Sequence, residues 1–351
     1  MSDEEMLERE QAILEEIIQY YLRHNEAVSA RTLAKVSHLA LSPTTIRNLM
    51  EDLSAEGFLT TEGVPRGRIP TQKAFTVYVT RLGARPPGPA PEPELPLPKR
   101  DDPAPLADAL AHLGPLLAER TGWVALAALP RRDRYALDWV RLHAVPRRQV
   151  LVTVLTLFGD LWSKQIPVAT PLPDDLLAQA AHYINGQYHG ASLERIRSEI
   201  MAGEPKPVLA NMPSLGAAFR MLRRAFEWEE GPAHRVWGRE HLLRLREGHD
   251  PRRQLQFQQV LGDPDLLPNS RAAGRPVEDG WVSIGTEIGY RGLEDCSIVG
   301  FPFGLGDWEG QLGVLGPMGM NYVQAVALAG EAAAALNGLL VRLREHALRA
   351  E

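Results

Sequence analysis

The sequence predicts an α+β chain: a small winged helix-turn-helix unit at the N-terminus, then an α+β domain whose antiparallel sheet is interrupted by a helical insertion. Three observations carry this expectation. Residues 41–82 read as a helix, a β-hairpin with a basic loop, and a second helix. Residues 83–105, GARPPGPAPEPELPLPKRDDPAP, are too rich in proline to form a helix. Beyond them, two strand-rich segments bracket a helical middle.

Within the first unit, residues 4–24 predict a long amphipathic helix, with Ile13, Leu14, Ile17, Ile18, Tyr21 and Leu22 on one face. Asn25 to Val28 make a turn. Ser29 is placed to cap a short helix, ARTLAKVS, with Leu33 and Val36 inward. A second turn, His38 to Leu41, leads to a helix that opens on Ser42 as N-cap and Pro43 at its first position. Ile46, Leu49, Met50 and Leu53 then recur at i, i+3, i+4 and i+7, and Gly57 sits where a left-handed residue ends a helix. Two short helices with a tight turn, the second with a polar face, have helix-turn-helix spacing. Phe58 to Thr61 predict a strand, and Gly63, Pro65 and Gly67 a turn. Thr71 is placed to N-cap a helix whose Ala74, Phe75, Tyr78, Val79 and Leu82 pack back.

The proline-rich stretch is expected to be an extended, semi-stiff spacer that separates this unit from the rest. A helix follows at Leu106–Arg120. The segments GWVALAALP, YALDWVRLHAVP, RQVLVTVLTLFG and LWSKQIPV then predict strands from their β-branched and aromatic content. Helices are expected at Asp174–Asn185, Ser192–Ala202, 214–228 and Pro251–Leu261, with a strand and turn near His234–Leu245. Strands return in WVSIGTEIG, CSIVGFPF and GQLGVLGP, and Asn321–Arg349 closes the chain as an alanine-rich helix.

Composition limits the function. The chain has 351 residues, 44% hydrophobic and 23% charged, enough for two or three cores. Cys296 is the lone cysteine, so neither an internal disulfide nor a cysteine-based zinc site is expected, and a reducing cytoplasm suits it. The acidic start MSDEEMLERE lacks the apolar region of a signal peptide, and runs such as VLVTVLTLF are too short to span a bilayer. Formal net charge is −6, against indiscriminate nucleic-acid binding by the whole chain. From Arg31 to Arg81, however, seven basic side chains face four acidic ones, a local net of +3. So modest a footprint suits one half of a paired binding site.

The candidate DNA contacts lie on the polar face of the second short helix: Thr44, Thr45, Arg47 and Asn48, with Ser42 as a cap that also suits a phosphate. Arg66 and Arg68 flank the hairpin loop, and Arg31 and Lys35 lie on the preceding helix within reach of phosphates. The competing reading is a protein-interaction module whose arginines are solvated charge. Catalysis is not expected. Cys296 lies in a strand-like apolar run, the histidines show no metal-ligand spacing, and Gly304, Gly306 and Gly310 fit a turn better than a dinucleotide loop. No cofactor is expected.

Two blocks resemble a known family. SPTTIRNLMEDLSAEGFLTT…GRIPTQKAF resembles the winged-helix motif of HrcA, the bacterial heat-inducible transcription repressors. GTEIGYRGLEDCSIVGFPFGLGDWEGQLGVLGPMGMNYVQAV resembles the same family's closing motif. The resemblance implies a winged helix, a GAF-like α+β domain, and a helical dimerisation domain inserted into the latter. It implies a homodimer on an inverted-repeat operator upstream of chaperone operons, with activity lost on heat shock and supported by the chaperonin GroEL. It also implies a cytoplasmic protein with no membrane partner. On this layout the expected divisions are 1–82 for the winged helix, 83–105 for the linker, 106–190 and 278–351 for the GAF-like domain, and 191–277 for the insertion. Phe219, Leu222, Phe226, Leu255 and Val260 are the apolar candidates for the dimer contact. Three departures stand out, one being a linker longer and richer in proline than the family leads one to expect. The wing reads Gly63-Val64-Pro65-Arg66-Gly67-Arg68 in place of the family's His-Thr-Ser-Ala-Gly-Arg, and Gly319 stands where Arg is common. A GAF-like domain also raises a second reading, a small-molecule-responsive transcription regulator, for which the sequence carries no ligand signature.

Overall fold

A computed structural model describes residues 3–39, 41–61, 67–84, 95, 105–130, 132–202, 224, 233–244, 251–306 and 308–349. The N-terminal unit comprises α1 (Asp3–His24), α2 (Ala30–Val36), α3 (Pro43–Ala55), a short hairpin of β1 (Leu59–Thr60) and β2 (Ile69–Pro70), and α4 (Gln72–Ala84). Its local signals act as expected. Ser29 Oγ accepts from Thr32 N at 3.1 Å, and Ser42 Oγ accepts from Thr45 N at 3.1 Å. Gly57, at φ 80°, closes α3 in a Schellman motif: Gly57 N–H donates to Ser54 O and Phe58 N–H to Leu53 O. The Thr71 side chain departs from its expected role. Its hydroxyl donates to the carbonyls of Gly57 and Phe58, tying the end of the hairpin to the end of α3 rather than capping α4.

The main domain is a six-stranded, wholly antiparallel sheet. Its strands are β3 (Val124–Leu129), β7 (Ala233–Trp237), β8 (Arg275–Val277), β9 (Gly280–Ile284), β10 (Cys296–Leu305) and β11 (Trp308–Pro317), in the order β7-β3-β11-β10-β9-β8. One face is covered by α5 (Leu106–Thr121) and α10 (Tyr322–Arg349), the other by α8 (Pro251–Leu261) and α9 (Leu266–Ala272). Alternate residues therefore enter different cores. Ala125, Ala127 and Leu129 of β3 pack toward α5, while Val124, Leu126 and Ala128 pack toward Phe257, Leu261 and Leu267. Burial on both faces explains why VALAAL reads as an unbroken apolar run. By length and composition α10 would suffice to cross a membrane, but half of that stretch is buried, with Ala329, Leu336 and Leu340 inside the core. It is the central helix of the domain.

The expected domain divisions need correction. The strands β4 (Leu137–Val145), β5 (Gln149–Thr156) and β6 (Leu161–Pro167) were expected in the main sheet. They form a separate three-stranded meander. With α6 (Asp174–Tyr188) and α7 (Leu193–Met201) they enclose their own core of Leu137, Val140, Val152, Val154, Ile166, Leu177, Ile184 and Ile196. The chain then returns to the main sheet at β7, and α8, α9 and β8 pack there too, although 233–277 was assigned to the insertion. The inserted unit thus begins before residue 137 and ends before 233. The physical reason lies in the strand pattern. Successive residues of β5 alternate strictly between buried and half-buried, which suits a sheet covered on one face. On the outer edge of β4, Asn185 substitutes for a neighbouring strand: its side chain accepts from Val140 N at 2.7 Å and donates to Val140 O at 3.1 Å. The helix expected over 214–228, with Phe219, Leu222 and Phe226, lies outside the described residues except Arg224, which is helical.

The winged-helix unit does not stand apart from the main domain. Its buried residues belong to one continuous core with α5, α10 and the sheet. Phe75 of α4 lies between Tyr21 and Tyr322, with ring centroids 6.1 Å from each. Gln72 Nε2 donates to Ile284 O at 2.9 Å and to Thr286 Oγ1 at 3.1 Å. Tyr322 is fully enclosed, donates to Met318 O at 2.7 Å and is bonded to Ser297 Oγ at 2.7 Å. Of the proline-rich stretch, Leu95 is described: it is buried, and its N–H donates to Glu331 Oε1 at 2.6 Å. The spatial separation of the two units expected from the spacer is therefore not found: their buried residues share one core.

Candidate nucleic-acid interface

α3 owes its position to its buried stripe. Ile46, Leu49, Met50 and Leu53 are each under 9% exposed and pack with Ile13, Ile17 and Leu33 of α1 and α2. Anchoring that face leaves the opposite one to solvent. Ser42, Thr44, Thr45, Arg47 and Asn48 are all exposed, as sequence reasoning expected. Two of them are already engaged: Ser42 Oγ and Thr45 Oγ1 lie 2.9 Å apart, besides the backbone cap. Thr44, Arg47 and Asn48 have no side-chain hydrogen bond or ion pair among the described residues. Arg31 and Lys35 of α2 are likewise exposed.

At the hairpin, Arg66 lies outside the described residues, as does most of the wing tip. Arg68 is placed by its backbone. Its N–H and C=O pair with Val28 at 3.0 Å each, so the hairpin adds a strand-like bridge to the turn before α2. Gly67, at φ 88°, makes this approach possible, since a methyl there would sit 2.9 Å from Val28 O. Lys73 is not a DNA candidate. Its ammonium donates to Glu56 O at 2.7 Å and lies 4.1 Å from the Phe58 ring centroid, joining the C-terminus of α3 to the hairpin. These contacts give a fixed polar helix face beside a fixed basic hairpin stem, the geometry of a winged helix against a DNA groove.

Sequence reasoning counted Glu51 only as charge. It is exposed on the same face of α3, one turn beyond Arg47, with no partner among the described residues. A helical wheel of the residues already named would have found it.

Elsewhere the structure offers little chemistry. Among the described residues no group of three or more His, Cys, Asp and Glu side chains is placed to hold a metal ion. Burial pushes the Cys296 thiol up to about 12, far from a reactive thiolate. Gly306, at φ 62°, lies at the end of β10, a turn position.

Comparison with known proteins follows the same outline. Residues 5–81 match the family described as winged helix-turn-helix transcription repressor, HrcA DNA-binding. Residues 107–326 match the HrcA protein C-terminal domain, well over half of the chain.

The chain belongs to the HrcA family.

HrcA proteins are heat-inducible transcription repressors with a DNA-binding winged helix, and both parts are present here in order. The heat-inducible transcription repressor HrcA of Pelotomaculum thermopropionicum is 27% identical over 325 residues, covering 92% of this chain and 93% of its own. That of Xanthomonas euvesicatoria is 28% identical over 348 residues, covering 95% of each. A crystal structure described as a hypothetical protein superimposes with a TM-score of 0.65 over 96% of this chain and 98% of its own, at 20% identity, a likeness of fold. The family match favours the repressor reading over the small-molecule sensor.

Proposed function

We propose that this repressor acts as a homodimer on an inverted-repeat operator upstream of chaperone operons, that GroEL supports its active form, and that heat removes it. The exposed face of α3 carries the reading, anchored on its buried side and flanked by the hairpin stem. Thr44 and Asn48 face the base edges, with Arg47, Arg68, Arg31 and Lys35 toward the phosphates. Ser42 and Thr45 hold the N-terminus of the helix, whose free N–H groups favour a phosphate. The small local charge supports pairing. One winged helix neutralises few phosphates, and a second on the same duplex adds its own contacts without a second loss of translational freedom.

The inserted unit is the proposed dimer contact. Its outer sheet face carries Trp139, Leu155 and Leu161 in one cross-strand row, and Leu161 is 60% exposed. Phe219, Leu222 and Phe226 remain candidates within the same insertion. Leu255 and Val260 do not belong to that unit. They lie on α8, where Val260 packs against the core of its own domain and Leu255 is exposed. The soluble, cytoplasmic placement follows from the repressor role.

The test is a gel shift on the DNA upstream of the source organism's chaperonin operon, with and without GroEL. Binding that GroEL strengthens is expected; absence of binding in both arms refutes the operator assignment. In parallel, Leu161→Asp is expected to shift sedimentation from dimer to monomer. An unchanged dimer removes the inserted sheet face from the interface.

A further inference from the structure

We infer that Glu51 is a specificity-determining residue that reads a cytosine amino group at one position of each half-site. The inference rests on the DNA-binding role of α3 and begins with its geometry. The buried stripe is centred between Leu49, Leu53, Ile46 and Met50. At 100° per residue, the line opposite that centre runs through Thr44, Asn48, Glu51 and Ala55, and all four are exposed. Arg47 lies to one side of this line, and Thr45 and Asp52 to the other. A helix seated in a major groove presents its centre line to base edges and its flanks to the two phosphate ridges. Glu51 thus sits among the base readers, whereas Arg47 is placed to reach a phosphate ridge.

A carboxylate in that position has few favourable partners. Phosphates repel it, and most groups on the floor of the major groove are acceptors or methyls. The donors there are the amino groups of adenine and cytosine. Adenine N6 has the N7 acceptor beside it, which suits the amide of Asn48, able to donate and accept. An ionised carboxylate only accepts, so cytosine N4 is the matching group. The carboxylate is also not consumed inside the protein: among the described residues no hydrogen bond or ion pair holds Glu51, and Arg47, one turn away on the same helix, is likewise unpaired. Nor does Glu51 belong to the core, since its side chain is exposed.

The test uses the full chain, a randomised duplex pool, and selection followed by sequencing, with Glu51→Ala and Glu51→Gln beside the parent. Both substitutions lie on an exposed helical face, and a thermal melt checks that the fold survives. The parent is expected to enrich a site with a fixed cytosine, and E51A to lose that preference at one position per half-site by about tenfold, leaving other positions unchanged. E51Q is expected to move the preference toward adenine at the same position. If E51A binds every duplex tighter by one common factor, the carboxylate is only a repulsive charge and the inference is overturned. The same follows if E51A enriches the parental site unchanged. A parent that enriches no sequence at all would instead refute the DNA-reading role of α3 itself.

Discussion

The seam between the winged helix and the main domain makes Gly319 a sensitive position. A methyl placed there would lie 2.6 Å from Tyr21 Cε1 and 3.2 Å from Cδ1. Ordinary carbon contacts begin near 3.4 Å, so Gly319→Ala forces the Tyr21 ring to move by most of an ångström. The ring is not free to do so, because it packs against Phe75, which in turn packs against the enclosed Tyr322. Overpacking of this kind costs about 1–3 kcal/mol. Gly319 has no left-handed backbone, so alanine also reduces the freedom of the unfolded chain, which returns about 0.4–1 kcal/mol. The net expectation is a loss of about 1–2 kcal/mol, a lowering of Tm by roughly 2–8 °C on the scale of domains of 150–250 residues. The assay is urea unfolding of G319A, Tyr21→Ala and the double variant. In the Tyr21→Ala background the methyl finds open space, so the penalty is expected to shrink, with a coupling of about 1 kcal/mol. If G319A is as stable as the parent, or costs the same in both backgrounds, the seam is not close-packed at this point.

Three further outcomes follow. Arg47→Ala is expected to weaken DNA binding across all sequences and to reduce the slope of log K against log salt by about 1; an unchanged slope in a salt titration removes Arg47 from the phosphate contacts. Stability is expected to fall as pH rises from about 9 toward 12. Burial raises both the Cys296 thiol and, with Asp263 beside it, the Tyr290 hydroxyl to about 12. The folded chain therefore keeps protons that the unfolded chain releases, and a urea midpoint that does not decline over this range contradicts the assignment. In hydrogen exchange, amides of α3, α4 and β10 are expected to open together and those of β4–β6 separately, because the first group shares one core and the second encloses its own. Separate protection of α4 and β10 would refute the continuous core.

What the sequence disclosed was mostly local. Ser42, Pro43 and Gly57 mark the ends of α3 through chemistry that acts within four residues, so its limits and its exposed face were legible. Sheet membership was not. β3 pairs with β11, almost two hundred residues away, and with β7 on its other side, whereas its sequence neighbours β4–β6 join a different sheet. Nothing in a single strand's composition states its partner; only the difference between the unbroken run of β3 and the alternation of β5 hinted at it. The Thr71 cap failed for a related reason. Thr71 and Lys73 turn to the end of α3 because the carbonyls of Glu56, Gly57 and Phe58 are within reach, a fact of tertiary geometry. Whether Glu51 is paired is equally invisible until Arg47 is placed.

The role of α4 connects these findings. One face of this helix completes the winged-helix core through Ala74 and Val79, while Phe75, Gln72 and Tyr78 reach Tyr322 and the turn after β9. A single rigid element thus belongs to both cores. α3 rests on α1, and α1 on α4, so the recognition face is held at a set position on the six-stranded sheet. In a dimer joined through the inserted unit, the separation of two such faces is then fixed by folded cores. Operator spacing becomes a property of packing, and any condition that loosens the Tyr21–Phe75–Tyr322 stack changes that spacing.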